Sequence, residues 1–105
     1  MKSDTGSKSG LTSVIESEVK LLKRHIEVLR AVREQEPVGI IKLSEVTNHP
    51  QHMIRYSLHI LEQEGVIEPS PRGAVTTGKV DKTIETLKKA LADISKEIEE
   101  IIEGL

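Results

Sequence analysis

Aromatic residues and cysteine are nearly or wholly missing from this sequence. Its 105 residues include one Tyr and no Phe, Trp or Cys. Without cysteine the chain forms neither a disulfide framework nor a thiolate metal site, a composition that is common in the cytoplasm. With a single aromatic side chain it lacks the several stacking platforms on which proteins bind single-stranded nucleic acid. The core must therefore be packed from Leu, Ile and Val.

Long apolar runs and a strong net charge are missing as well. No run approaches the roughly 20 apolar residues of a membrane span, and the N-terminus lacks the apolar centre of a signal peptide. Lys and Arg number 15 against 17 Asp and Glu, a formal net charge of −2. A near-neutral chain counts against a protein that coats DNA without sequence choice, because such binding comes from phosphate neutralisation. These features predict a cytoplasmic protein without membrane association.

Catalytic and metal-binding patterns are also lacking. The sequence has no phosphate-cradling Gly loop and no nucleophile with a nearby base, so we predict neither an enzyme nor a bound cofactor. His49, His52 and His59, followed by Glu62, are the candidates for a metal site. Their spacing does not ensure that three or four ligands converge on one ion. We therefore predict no metal.

The first part of the chain predicts an arm followed by a long helix. Residues 1–11 are rich in Ser, Gly and charge, which is typical of a disordered arm. Thr12 or Ser13 can cap the helix, and Pro37 ends it. This helix is apolar over more than half its circumference. We therefore expect one side to pack on the core and the other to pack on a further helix, either of the same chain or of a partner chain. Its main apolar positions are Ile15, Val19, Leu22, Ile26 and Leu29.

A short helix, a tight turn and a longer helix follow. Val38-Gly39 predicts a bridging strand, Ile40 to Thr47 a two-turn helix, and Asn48-His49 the turn. Residues 50–64 predict the longer helix, because Pro50 suits a first turn and Gly65 a C-terminal stop. This is the order of elements in a helix-turn-helix.

The longer helix is amphipathic and leads into a hairpin. Ile54, Leu58 and Leu61 recur at helical spacing, so one face is predicted to be buried and the opposite, polar face exposed. After the β-prone pair Val66-Ile67, residues 69–73 predict a hairpin tip and residues 74–76 a returning strand. The hairpin would form a wing with Arg72 at its tip.

Residues 78–105 predict a helix with a heptad seam. Its apolar residues alternate between spacings of four and three, and this pattern is specific to coiled coils. At about 1.5 Å per residue the helix would be too long for a domain of this size to cover. We therefore predict a homodimer through the seam, the alternative being a helix packed only on the first helix of its own chain. The seam comprises Val80, Ile84, Leu87, Leu91, Ile94, Ile98, Ile101 and Leu105.

The charges along this last helix predict its orientation in the dimer. Residues 79–91 carry four basic and two acidic side chains, whereas residues 92–105 carry one basic and five acidic. A parallel pair would bring acid against acid, and an antiparallel pair brings opposite signs together. We expect an antiparallel pair, with the first helix contributing to the interface.

The stretch from His52 to Ile67, HMIRYSLHILEQEGVI, resembles the recognition helix and first wing strand of winged helix-turn-helix transcriptional regulators of the broad MarR/ArsR superfamily. The resemblance covers about residues 12–80. With the long C-terminal helix, the chain resembles small archaeal regulators that dimerise through such a helix. The matching positions are Ile54, Leu58, Leu61, Glu62, Glu64, Gly65, Val66 and Ile67.

This resemblance implies a mainly α fold with a small β-wing, a DNA-binding domain over residues 12–77 and a dimerisation helix over residues 78–105. It also implies a regulator that places residues 50–64 in the major groove of double-stranded DNA. Arg55 would then suit guanine and Gln51 adenine. The implied contact residues are Gln51, His52, Met53, Arg55, Tyr56, His59 and Arg72.

Two other functions are compatible with the sequence. One is a protein-interaction adaptor in a transcription or chromatin complex, since winged helices also bind proteins. The other is an architectural protein that coats DNA, against which the near-neutral charge counts.

Overall fold

A computed structural model describes residues 10–105 of the chain. The mainly helical fold, with a two-stranded wing after three helices and a long helix at the end, confirms the predicted winged helix-turn-helix class. Of the predicted arm, residues 1–9 lie outside the described residues, and Gly10 and Leu11 already belong to the first helix. The elements are α1 (Gly10–Gln35), α2 (Ile40–Thr47), α3 (Gln51–Gln63), β1 (Ile67–Ser70), β2 (Gly73–Thr76) and α4 (Val80–Glu103).

The α2–turn–α3 unit has nearly the predicted boundaries. Asn48 ends α2 in the left-handed conformation, with φ of 59°, which asparagine tolerates better than most residues. The Ser44 hydroxyl donates to the carbonyl of His49 at 2.6 Å and holds the turn. Pro50 precedes α3 as its N-cap rather than being its first helical residue. Gly65, with φ of 78°, ends α3 as predicted.

The wing is an antiparallel hairpin of β1 and β2, and a single bridging residue, Val38, pairs with β2 on its other side. Ile67 pairs with Thr76, and Ser70 pairs with Gly73. Val38 forms the predicted bridge: its amide donates to the carbonyl of Ala74 at 3.1 Å and its carbonyl accepts from the amide of Ala74 at 2.8 Å. The sheet order is therefore Val38, β2, β1.

The predicted hairpin tip is too wide. It spans 69–73 in the sequence prediction, but only Pro71 and Arg72 form the turn. Pro69 lies within β1 opposite Ala74, whose backbone groups are bonded to Val38 on the other side. Because Pro69 occupies a non-hydrogen-bonded edge position, its missing N–H removes no ladder bond.

The core lies where the second half of α1 meets α2, α3 and the wing. Helix α4 begins at Val80 and not at the predicted Gly78, because the Thr77 hydroxyl donates to the carbonyl of Gly65 at 2.5 Å and holds the residues before Val80 in a turn. Val80 is buried in the core and Ile84 packs partly against it. The buried apolar residues are Val28, Leu29, Ala31, Val32, Val38, Leu43, Ile54, Leu58, Leu61, Val66, Ile67, Ala74 and Val80.

Two helical segments extend beyond this core. The first half of α1 exposes apolar side chains, with Val19 51% and Ile15 57% accessible. The second half of α4 does the same, with Ile94 49% and Ile98 44% accessible. The radius of gyration of 16.4 Å exceeds the about 13 Å of a compact chain of this length. Both segments carry apolar faces that nothing in the described chain covers.

Candidate nucleic-acid interface

Helix α3 is fixed to the core by one face and exposes the other. Ile54 and Ser57 are fully buried, and Leu58 and Leu61 are almost so. Since a helix turns 100° per residue, these four positions direct the opposite side of α3 away from the protein. The exposed face is therefore held by a rigid scaffold.

Most of the predicted contact residues meet on this exposed surface. Gln51 lies exposed at the start of α3. His52, Arg55, Tyr56 and His59 follow within two turns and are also exposed. The structure thus brings five of the seven candidate residues together on one helix surface.

Met53 lies differently from the rest. It is half-buried and faces α1, where it lines a shallow cavity of about 610 Å³ with Leu21, Arg24 and His49. On a helix, a residue one position from His52 is rotated by 100°, which turns Met53 off the exposed face. Its side chain borders the surface instead of lying in its middle.

Arg72 occupies the tip of the wing. The amide of Arg72 donates to the Ser70 hydroxyl at 3.3 Å, and that hydroxyl donates to the carbonyl of Gly73 at 2.6 Å, so the tip has a defined shape. Within residues 10–105, neither Arg55 nor Arg72 forms an ion pair. Both guanidinium groups are therefore free of carboxylate partners in the described chain.

A polar cluster joins α1 to α3 beneath the exposed face. The Ser57 hydroxyl lies 2.8 Å from Nδ1 of His25, and Nε of Arg24 donates to the same hydroxyl at 3.2 Å. The rings of His25 and Tyr56 lie 5.8 Å apart between centroids, tilted by 44°. Tyr56 is 47% exposed, so its ring rests on α1 while part of it faces outward.

The cluster favours an uncharged imidazole. Burial first, and then the charge of Arg24, lower the pKa of His25 below its usual value. His25 is therefore neutral at pH 7, and one of its ring nitrogens can accept a hydrogen bond while the other donates. Sequence reasoning missed this cluster, because residues 24, 25 and 57 are brought together only by the fold.

Basic side chains flank α3 on both sides. Lys20, Lys23 and Arg24 of α1 line the cavity that Met53 borders. On the other side, Lys42 of α2 lines a groove of about 600 Å³ together with Arg55. Residues 48–78 hold only two arginines, and these four residues add cations beside α3 that this stretch does not supply. Glu18, Glu27 and Glu62 line the same two cavities. The spacing of Lys20, Lys23 and Arg24 in the sequence already indicates that they share one side of α1.

The histidines considered as metal ligands do not assemble. His49 points to α1 instead, with Nε2 2.9 Å from Oε1 of Glu27. No group of three or more His, Asp or Glu residues in the described part of the chain is arranged to hold a metal ion. Nor is any helix within residues 10–105 long and apolar enough to cross a membrane.

Comparison with known proteins relates the fold to a transcription factor domain. No protein-family model and no curated protein sequence matches the chain. Among solved structures, the activation domain of the phage T4 transcription factor MotA is similar, with a TM-score of 0.53 and 16% sequence identity, covering 70% of this chain and 78% of that one. A likeness at this identity concerns the fold alone. It supports a fold used in transcription factors but does not support membership of the MarR/ArsR superfamily in particular.

Proposed function

We propose that the chain is a homodimeric transcriptional regulator that binds double-stranded DNA in a sequence-specific manner. Helix α3 would enter the major groove, and the wing would contact the neighbouring backbone. The observation that carries this proposal is the exposed polar face of α3, held by a fully buried opposite face and flanked by the wing. A helix with its side chains is about 10–12 Å across, and the major groove is about 12 Å wide.

The side chains on this face have chemistry suited to base edges. The guanidinium of Arg55 can bond both acceptors of a guanine, and the amide of Gln51 can pair with an adenine. His52, Tyr56 and His59 supply further donors and acceptors across two turns of α3. These contacts would select the sequence.

Cations beside α3 would hold the DNA backbone. Lys42 of α2 lies on one side of α3, where the groove also borders the wing that carries Arg72 at its tip, and Lys20 and Lys23 lie on the other side. Lysine and arginine contacts to phosphates fix register without reading bases. These few cations would bind weakly per copy, so two copies at a fixed spacing would be needed for tight binding.

The second copy would be held through α4. Its apolar seam continues beyond the core, and Leu91, Ile94, Ile98 and Ile101 are 39–63% exposed in the single chain. Burying such a stripe against an identical helix removes it from water and gives the dimer a two-fold axis. A two-fold dimer would read an inverted repeat.

Selection from a random double-stranded DNA pool at two salt concentrations tests this function. An enriched inverted repeat is the result expected of a sequence-specific dimer. Uniform retention that weakens steeply with salt would instead indicate an architectural protein. A chain that retains no DNA even at low salt would rule out both.

The competing function is an adaptor that binds protein through the same surface. Two observations favour it: the net charge of −2, and the similarity of the fold to the activation domain of a transcription factor. Failure to retain DNA, combined with a folded and dimeric chain, would support this adaptor.

A further inference from the structure

A groove of about 450 Å³ runs between α1 and the first half of α4. Its floor is apolar and its rim is basic. Arg33 pairs with Asp81 at 2.7 Å, whereas Arg30 and Lys88 form no ion pair within residues 10–105. The lining residues are Ile26, Leu29, Arg30, Arg33, Ile84, Leu87, Lys88 and Leu91.

The second half of α4 has the complementary character. It is acidic on its polar side, with five acidic residues and one basic residue over 92–105. Its apolar face is also wider than a two-stranded seam requires, because Ile102 lies beside the seam residue Ile101 and both are 63% exposed. A helix that packs between two other helices needs such a broad apolar face.

We propose that this groove is the docking site for the second half of α4 of a second copy of the chain. The inference rests on the homodimer of the proposed function and specifies how it assembles. Each copy would insert its acidic half-helix between α1 and α4 of the other. The assembled body would therefore contain four helices, two α1 and two α4, rather than a two-stranded coiled coil.

The spacing of the seam fits this arrangement. In an antiparallel pair, Ile84 of one copy meets Ile101 of the other, Leu87 meets Ile98, and Leu91 meets Ile94. Six of the eight seam residues thus find a partner, whereas Val80 is buried in the core of its own chain and Leu105 lies beyond the end of α4. The basic half of each α4 then lies against the acidic half of the other, and opposite charges adjoin.

The broad side of the apolar face is also correctly placed. Lys88 and Ile102 are separated by 14 residues, which is two heptads, and they therefore project from nearly the same side of α4. Helix α1 lies on the Lys88 side of α4. A two-fold axis between two antiparallel α4 helices puts this same side of each helix on one side of the pair. Ile102 of one copy would therefore face α1 of the other. Glu99, three residues before Ile102, would lie near Arg30 and Lys88.

The docked helix would also connect dimerisation to the DNA-reading surface. Helix α1 forms one wall of the groove through Ile26 and Arg30, and it contacts Ser57 of α3 through Arg24 and His25. A single continuous helix thus joins the two sites. The separation of the two α3 helices would then be fixed by how deeply the second α4 enters the groove.

Charge reversal in the full-length chain tests the docking site. We expect Arg30→Glu and Glu99→Lys each to weaken dimerisation by about tenfold or more, measured by sedimentation equilibrium, because each places like charges together. An equimolar mixture of the two variants should restore dimerisation, since every groove then meets a complementary helix. Glu100→Lys, which makes the same charge change one residue further round the helix, is the matched control and should have a much smaller effect.

The orientation has its own readout, because the natural chain contains no cysteine. A mixture of Leu87→Cys and Ile98→Cys chains should form a disulfide-linked heterodimer, and each variant alone should not. If the wild-type chain is dimeric and the Arg30→Glu variant dimerises equally well, the docking site is overturned but the homodimer is not. A wild-type chain that remains monomeric would overturn both, and rapid disulfide formation by Leu87→Cys alone would indicate a parallel pair.

Discussion

Gly73 occupies a backbone position that other residue types cannot take without moving the wing. Its φ is 131°, and a Cβ built there would lie 2.6 Å from the carbonyl carbon and oxygen of Val38. The absence of a side chain therefore lets β2 approach the bridging residue closely enough for two hydrogen bonds.

We predict that Gly73→Ala lowers the free energy of unfolding by about 2–3 kcal/mol, because it combines backbone strain with a steric clash. Denaturant-induced unfolding followed by circular dichroism measures the change. Gly78→Ala is the control: a Cβ there meets nothing within 4 Å, and we expect a change within about 0.5 kcal/mol. Equal stability of the two variants would show that the wing does not need this close approach.

Among the residues of α3, Arg55 would contribute most to recognition of the DNA sequence. We predict that Arg55→Ala loses about 1–3 kcal/mol of binding free energy on the selected DNA site and relaxes the preference at one base position. Arg72→Ala should instead weaken binding to all sequences and reduce the salt dependence, as loss of a phosphate contact does. Competition binding against single-base variants of the site measures both. A uniform loss for Arg55→Ala would make it a phosphate contact as well.

For individual residues, the amino-acid sequence predicts which side chains of α3 are exposed better than it predicts which side chains connect α3 to α1. The polar face of α3 follows from its own periodicity, so Arg55, Tyr56 and His59 could be predicted to be exposed. The contact of Ser57 with Arg24 and His25 could not, because it joins positions more than 30 residues apart in the chain. The partial burial of Met53 could not be predicted for a related reason: only the position of α1 shows which border of α3 is partly covered.

Among the elements, those with strong local stop signals could be predicted closely. Helix α2 has the predicted limits, Ile40 and Thr47, because Gly39 precedes it in an extended conformation and Asn48 ends it. The start of α4 could not be predicted, since Thr77 is held outside the helix by its hydrogen bond to Gly65. Strand β1 includes Pro69, which local propensity disfavours and an edge position allows.

The two long helices divide their roles along their length. Helix α1 supplies Val28 and Val32 to the core, while its first half exposes Leu11 and Val14. Helix α4 contributes Val80 to the core, and all of its residues from Lys88 onward are exposed in the single chain. The continuous apolar pattern in the sequence does not show where each helix leaves the core, because the pattern is the same on both sides of that point.

For the proposed homodimer, we predict that Ile98→Glu prevents pairing without unfolding the winged-helix domain. Ile98 is 44% exposed and lies away from the core cluster, so a charge there disrupts only an interface between chains. Light scattering coupled to size-exclusion chromatography gives the mass, and thermal unfolding reports on the domain. The conservative variant Ile98→Leu should remain dimeric. A dimeric Ile98→Glu chain would show that this part of α4 lies outside the interface.

For the whole molecule, charge and shape together favour two copies acting as one unit. A single chain with a net charge of −2 and a few cations around α3 offers little non-specific attraction to DNA. Its extents are 52 × 35 × 19 Å, and the second half of α4 contributes no residue to the core. Pairing these projecting helices would cover their apolar faces and hold two α3 helices at one spacing.

The most direct measurement of the central claim uses the selected DNA site with its two half-sites moved apart by about 5 base pairs, half a helical turn. If two α3 helices are held at a fixed spacing, this insertion turns one half-site to the opposite side of the duplex. We predict that the affinity then falls to that of a duplex with a single half-site. The selected site without the insertion should bind two chains. Undiminished affinity after the insertion would contradict a dimer that reads both half-sites at once.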